Sequence, residues 1–217
     1  HAVASGEAAI YEVLSYLLIN KGREKPWWRM GEGMPNLIMP SCAYGGTIAP
    51  GNLDDMIEYA KTYKSKGIAY ICDPGQSITA WEGKALAEWI DGSMILISND
   101  YELEMITKKT GKSKKELLKL TKTIITTLGE KGSLVSNSEF DIQIPSAKVD
   151  NVLDPTGAGD AYRAGLLKGI VTGKDIKTAA KIGAVAAAYA IENYGTQEHH
   201  FTYEEFVGRY KSNFGGM

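Results

Sequence analysis

Val152-Leu153-Asp154-Pro155-Thr156-Gly157-Ala158-Gly159-Asp160-Ala161-Tyr162-Arg163-Ala164-Gly165 is the stretch around which the rest of the chain can be organised. Its Gly-Ala-Gly turn runs into an expected helix over 159–171. Such a turn presents backbone N–H groups that have no intrahelical acceptor, and together with the helix dipole they form an anion site. An acidic residue at the same point would repel a bound phosphate. Asp160 makes chemical sense there as a base beside a phosphoryl group held by the amides. It makes equal sense as a first-turn acid that stabilises the helix start. The residues alone leave both readings open. A dinucleotide-binding loop is disfavoured, because Tyr162 stands where the third glycine should be and the loop lies far from any first βαβ unit.

Upstream of this turn, strand and helix patterns alternate. Asn36–Pro40 is a short apolar run, followed by a Gly-rich loop over 44–51. Residues 52–66 have helical spacing at Leu53, Met56, Ile57 and Ala60, with Asn52 as the expected N-cap. Ile68–Cys72 reads as a buried strand that ends at Asp73-Pro74-Gly75. A helix over 79–90, a strand over 94–97 and two helices over 100–109 and 114–120 follow. The β-branched run Thr123–Thr127 is a strand, and 133–135 with 140–144 form an antiparallel pair. Downstream, helices are expected over 159–171, 176–193 and 202–214. This alternation predicts an α/β fold in which a mostly parallel sheet is flanked by helices in three layers. Ligands then bind at the carboxyl ends of strands, after Cys72, Ile97, Thr127 and Leu153.

Composition narrows the class. The chain has 217 residues, with 24 Lys+Arg against 26 Asp+Glu, so it lacks the basic excess of a general nucleic-acid or membrane-surface binder. No run approaches the roughly 18 apolar residues of a membrane span. Two cysteines, Cys42 and Cys72, do not make a disulfide framework, and the cytoplasm is the expected compartment. His199 and His200 are adjacent and lack a third ligand, which argues against zinc. Trp27 and Trp28 can stack on a ligand or serve a core or interface. The alanines of 176–193 favour close helix packing over contact with adenine.

The Val152–Gly165 string resembles the C-terminal signature of the pfkB (ribokinase-like) carbohydrate kinases. The resemblance runs from about Met39 to Phe214 and takes in Asp73-Pro74-Gly75-Gln76, Asn99-Asp100-Tyr101-Glu102, Thr127-Leu128-Gly129-Glu130-Lys131-Gly132 and Tyr194-Gly195-Thr196-Gln197 with His199, Phe201 and Thr202. The second and last of these elements are most similar to the adenosine-kinase-like branch. The resemblance implies a ribokinase-like fold and an ATP-dependent kinase that transfers the γ-phosphoryl of Mg-ATP to a hydroxyl of a nucleoside or sugar. Asp160 would be the catalytic base, and the amides of Gly157, Ala158 and Gly159 the anion hole. Asn99 and Glu102 would organise Mg²⁺, although by spacing alone they are a helix cap and its first-turn acid. Thr127, Gly129, Gly132, Asn193 and Gly195 would contact the nucleotide. Asp154 and Thr156 match positions that hold a monovalent cation such as K⁺ in many members.

Residues 1–38 stay unassigned, and residues 39–217 form the nucleotide-binding and catalytic region. The family's early Gly-Gly motif, its sugar-gripping aspartate and its small β-sheet lid are not found in residues 1–38. The chain begins at His1 rather than Met. It is therefore expected to be a truncated form or an incomplete record, carrying the donor half without the acceptor half. A sheet lacking its first strands exposes an edge, which invites self-association as a homodimer. The rival reading is a catalytically silent nucleotide-binding or interaction protein.

Overall fold

The computed structural model describes residues 36–38, 51–196 and 198–216. The expectations for Trp27, Trp28, Cys42, Gln197 and most of the 44–51 loop lie outside the described residues. The rest forms two compact units.

The sheet unit is built from repeated strand–helix steps. Its strands are β1 (Asn36–Ile38), β2 (Tyr70–Cys72), β3 (Ile95–Asn99) and β4 (Thr123–Thr127), and they pair in parallel in the order of the chain. The intervening helices are α1 (Gly51–Ser65), α2 (Gly83–Ile90), α3 (Asp100–Thr110) and the short α4 (Lys114–Leu117). Strands β5 (Ser133–Asn137) and β6 (Asp141–Ile144) extend the sheet beyond β4. The connections 128–132 and 138–140 are far shorter than the dozen or so residues a parallel crossover needs, so this end of the sheet is antiparallel.

Right-handed crossovers that step along a sheet in one direction deliver their helices to one face. The packing follows that rule. Tyr70, Cys72, Leu96 and Ile124 point to the face where Met56, Ala60, Leu86, Trp89, Ile90, Ile106 and Leu117 meet them. Alternation along each strand selects that set, and each fully buried large side chain contributes about 1.5–3 kcal/mol. Trp81 and Trp89 stack with ring centroids 4.8 Å apart and planes 4° from parallel.

Several boundaries differ from the expectation. The helix expected over 79–90 splits into a 3-10 turn, Gly75–Ala80, and α2. A Cβ on Gly83 would stand 1.8 Å from the Lys109 carbonyl oxygen, so the backbones of α2 and α3 touch there. The Lys109 ammonium bonds the carbonyls of Thr79 and Trp81 in the intervening turn. Asn52 lies inside α1, which starts at Gly51, rather than before it. Helix α4 stops at Leu117, after which Lys119 and Leu120 donate to carbonyls three residues back. Strand β3 runs on to Asn99, in register with Thr127.

The helical unit comprises residues 129–133 and the described part of 143–217. Its helices are α5 (Ala158–Val171), α6 (Ile176–Ile191) and α7 (Tyr203–Phe214). Asp175 caps α6 by accepting from the Lys177 and Thr178 amides, and Thr202 caps α7 in a capping box with Glu205. Helices α5 and α6 approach to backbone contact. A Cβ on Gly165 would meet the Ile182 oxygen at 2.7 Å, one on Gly169 the Ala179 Cβ at 2.6 Å, and one on Gly183 the Tyr162 oxygen at 2.7 Å. Ala179, Ala180, Ala184, Ala186, Ala188 and Ala190 are all buried, which is the packing role expected of the alanine-rich helix. Among the described residues no helix is long and apolar enough to cross a membrane.

Candidate active site

In the helical unit, the turn before α5 is held open by backbone geometry. Gly157 takes φ 82°, a left-handed conformation that side-chain-bearing residues disfavour. A Cβ there would also press on Thr196, at 3.1–3.4 Å. As the N-cap it offers no side chain to the helix, so the cap provides no oxygen for the first-turn amides. Asp160 sits in that first turn.

The turn is anchored from one side. Asp154 Oδ1 accepts the Thr156 amide at 2.9 Å and its Oδ2 accepts the Gly195 amide at 3.0 Å. The Thr156 side chain and these two amides hold the Asp154 carboxyl below its usual range. The Leu153 and Asp154 amides bond the Ile191 carbonyl, which ties the turn to the end of α6. Gly195 is again left-handed, at φ 81°. Asn193 donates its side-chain amide to the Tyr189 carbonyl at 2.9 Å, closing the end of α6.

Glu192, just beyond α6, receives Arg209 of α7 in a two-pronged pair at 2.6 and 2.5 Å. Glu192 also accepts the Asp150 amide at 2.9 Å, and Arg209 donates to the Lys148 carbonyl and lies over the Tyr189 ring. Arg209 holds the Glu192 carboxyl below its ordinary value, against the opposing effect of burial. A carboxyl lowered on folding stabilises the fold above its unfolded value, about 4.3, and that stabilisation drains away as pH falls through the lower folded value. Glu192→Gln should therefore cost about 1–3 kcal/mol at pH 7 and flatten the acid limb of stability below about pH 4. Urea midpoints at pH 7 and pH 3.5 check this; an unchanged midpoint at pH 7 removes the pair from the account.

The segment 129–133 belongs to the same unit. Gly129 and Gly132 have φ 58° and 84°. Gly132 has a second requirement, since a Cβ there would lie 2.1 Å from the Ile144 oxygen. Ser133 Oγ and Tyr162 OH are 2.8 Å apart and both buried, which fixes this segment to α5. Burial pushes the Tyr162 phenol well up. Tyr162→Phe is expected to lose about 1–3 kcal/mol because the Ser133 hydroxyl is left buried and unpaired. Adding Ser133→Ala should recover part of the loss in the urea midpoint.

In the sheet unit, Asn99 and Thr127 end neighbouring parallel strands and are register partners, so they share the carboxyl edge. Asn99 Oδ1 accepts the Glu102 amide at 2.7 Å, and Glu102 Oε2 accepts the Asn99 amide at 2.8 Å. This is a full capping box, so the cap reading of these two residues is realised in the structure. Among the described residues no three His, Cys, Asp or Glu side chains cluster in the manner of a metal cage. His199 is buried and stacks on Phe201.

Three contacts escape a sequence reading. Ser133–Tyr162 and Glu192–Arg209 join residues 29 and 17 apart, and no local pattern announces them. The pair Arg163–Asp160, at 3.6 Å, does carry a signal, the helical i,i+3 spacing.

The sheet unit is thus an open parallel α/β sheet with Asn99 and Thr127 on its carboxyl edge, and the helical unit carries a glycine-capped helix start with an acid in its first turn. Residues 42–201 match the model of the pfkB family of carbohydrate kinases, and the chain belongs to that family. It is 33% identical to a nucleoside kinase of Methanocaldococcus jannaschii over 163 residues, which are 75% of this chain and 53% of the relative. The fold is ribokinase-like. Burkholderia thailandensis nucleoside kinase in complex with inosine superposes with a TM-score of 0.72 at 33% identity, over 76% of this chain and 54% of that one. The same enzyme in complex with ADP-inosine gives a TM-score of 0.74 at 27% identity, over 96% of this chain and 59% of the other. The chain spans about half the length of the curated relatives it matches.

Proposed function

We propose that the chain is the nucleotide-handling and catalytic part of an ATP-dependent kinase that phosphorylates a hydroxyl of a nucleoside or sugar. The observation that carries this is the start of α5, a left-handed glycine cap without a side-chain oxygen, with Asp160 in the same turn. Simple anion binding gains nothing from that carboxylate, whereas phosphoryl transfer needs both features.

The roles follow from chemistry. Asp160 takes the proton of the acceptor hydroxyl as the hydroxyl oxygen bonds to the γ-phosphorus. The bond from that phosphorus to the β,γ-bridging oxygen breaks, and ADP leaves with the electron pair. The amides of Gly157, Ala158 and Gly159 receive the charge on the transferring group, where fixed donors are most effective. Thr127, Gly129, Gly132, Asn193 and Gly195 border the nucleotide. Asn99 and Glu102 fit a hydrated Mg²⁺. A single carboxylate with the nucleotide's own phosphates suffices for magnesium, which keeps several waters. When bound, the metal supplies charge neutralisation at the phosphates. Asp154 and Thr156 would hold K⁺ through the same turn that their mutual hydrogen bond shapes. This reading places the chain in the cytoplasm and allows a homodimer.

The second reading is a catalytically silent nucleotide-binding or interaction protein, in which the Asp160 carboxylate is only the first-turn acid of α5. ADP release from Mg-ATP, measured with a panel of nucleosides and sugars, separates the two. Acceptor-dependent turnover supports the kinase. Calorimetric ATP binding with no turnover on any acceptor supports the silent reading.

A further inference from the structure

We propose that Arg163 is a positioning residue for the base: its guanidinium holds the Asp160 carboxylate in the orientation from which it takes the acceptor proton. The inference rests on the kinase reading above.

Three observations carry it. Arg163 Nη1 lies 3.6 Å from Asp160 Oδ1, and the two side chains are only 16% and 21% exposed. The helical pair Lys108–Glu104 is 73% and 62% exposed, the situation in which ion pairs contribute little. Second, a Cβ on Gly159 would stand 2.7 Å from Arg163 Nη1. The guanidinium therefore lies against the bare Cα of the glycine in the middle of the anion turn, and any side chain there would compete with it for the same space. In this arrangement the bare Cα of Gly159 leaves the guanidinium its place beside the turn. Third, the closest backbone approach of α5 to α6 lies further along the helix than Arg163. The close backbone contacts run through Gly165, Gly169 and Gly183 against Ala179, Ile182, Ala186 and Tyr162.

The distance identifies the kind of interaction. At 3.6 Å the pair is an ion pair and not a short hydrogen bond. It restrains the carboxylate by charge and by the flat, forked shape of the guanidinium, which an ammonium does not reproduce. Small misplacements of a reacting group cost up to about 10²-fold in rate, so an arginine that restrains the base acts on turnover more than on affinity.

The test compares kcat and KM for ATP in the wild-type chain, Arg163→Met, Arg163→Lys, Asp160→Asn and the Asp160→Asn/Arg163→Met double variant. Arg163→Met is expected to lower kcat by about 10–100-fold while KM for ATP stays within about threefold. Arg163→Lys should restore part of the rate. The double variant should be no slower than Asp160→Asn alone, because a residue acting through the carboxylate has nothing to orient once that carboxylate is gone. Should Arg163→Met not fold, Arg163→Gln takes its place with the same expectations. Wild-type turnover with unchanged kcat in the Met or Gln variant, or a double variant slowed by the product of the single effects, overturns the inference alone. No wild-type turnover on any acceptor overturns the kinase reading and the inference with it.

Discussion

Asp160→Asn lowers kcat by about a thousandfold and leaves ATP binding nearly intact, if the carboxylate is the proton acceptor. The size follows from what is removed. A positioned base contributes about 10²–10⁴-fold, and the amide keeps the shape of the carboxylate while losing its basicity. ATP affinity should change by no more than about threefold, since the first-turn amides of α5 are untouched and the charge removed is one that repels phosphate. Helix stability should fall by only about 0.3–1 kcal/mol from the lost dipole interaction. Steady-state ADP release and calorimetric ATP titration, run on the same preparation, check both halves. If Asp160 is only a first-turn acid, turnover survives and the small stability loss is the whole effect. The two readings left open by the sequence thus differ by three orders of magnitude in one measurement.

Gly165→Val has the largest expected effect on the fold. The missing side chain leaves α5 and α6 with backbones in contact, and a Cβ at this position would stand 2.7 Å from the Ile182 oxygen, 2.8 Å from the Gly183 Cα and 3.0 Å from the Ala186 Cβ. None of these atoms is the end of a flexible side chain. The helices must separate, because the atoms met there are backbone and an alanine Cβ that cannot swing aside. A loss of at least about 4 kcal/mol is expected, and with it the fixed start of α5 that carries Gly157 and Asp160. Gly208→Ala is the control. Gly208 lies within α7, no atom would come within 4 Å of its Cβ, and the change should stabilise by about 0.4–1 kcal/mol. Urea midpoints of the two variants should therefore move in opposite directions. An unchanged midpoint in Gly165→Val would mean that the two helices do not pack as described.

The alternation of strand and helix was legible because each element carries its own period. Thr123–Thr127 is β-branched throughout, and 176–193 is too rich in alanine to be anything but a packed helix. The turn at Gly157 was legible for a similar reason, because a glycine pair before a helix has few other uses. Legibility fails where a distant residue sets the local shape. Residues 79–82 read as helix on propensity, yet the contact of Gly83 with Lys109 and the two bonds from the Lys109 ammonium replace that helix by a turn. At Asn99 and Glu102 the spacing was read correctly as a cap, and the capping box confirms that local role. Spacing says nothing about a metal, because a capping carboxylate and a magnesium-organising one have the same sequence. Arg163 lies within the signature, and its helical i,i+3 spacing from Asp160 is the clue the sequence carries to their pairing.

The sheet has a further consequence through its strand order. From β1 to β4 each strand pairs with the one made immediately before it. As the chain leaves the ribosome, each of β2 to β4 finds its partner strand already made. The helical pair α5 and α6 follows the strands in the chain, and its closest contacts are internal to itself. Synthesis and assembly can thus run in the same direction, one strand–helix step at a time, which limits the interval during which an unpaired parallel strand is exposed to other nascent chains.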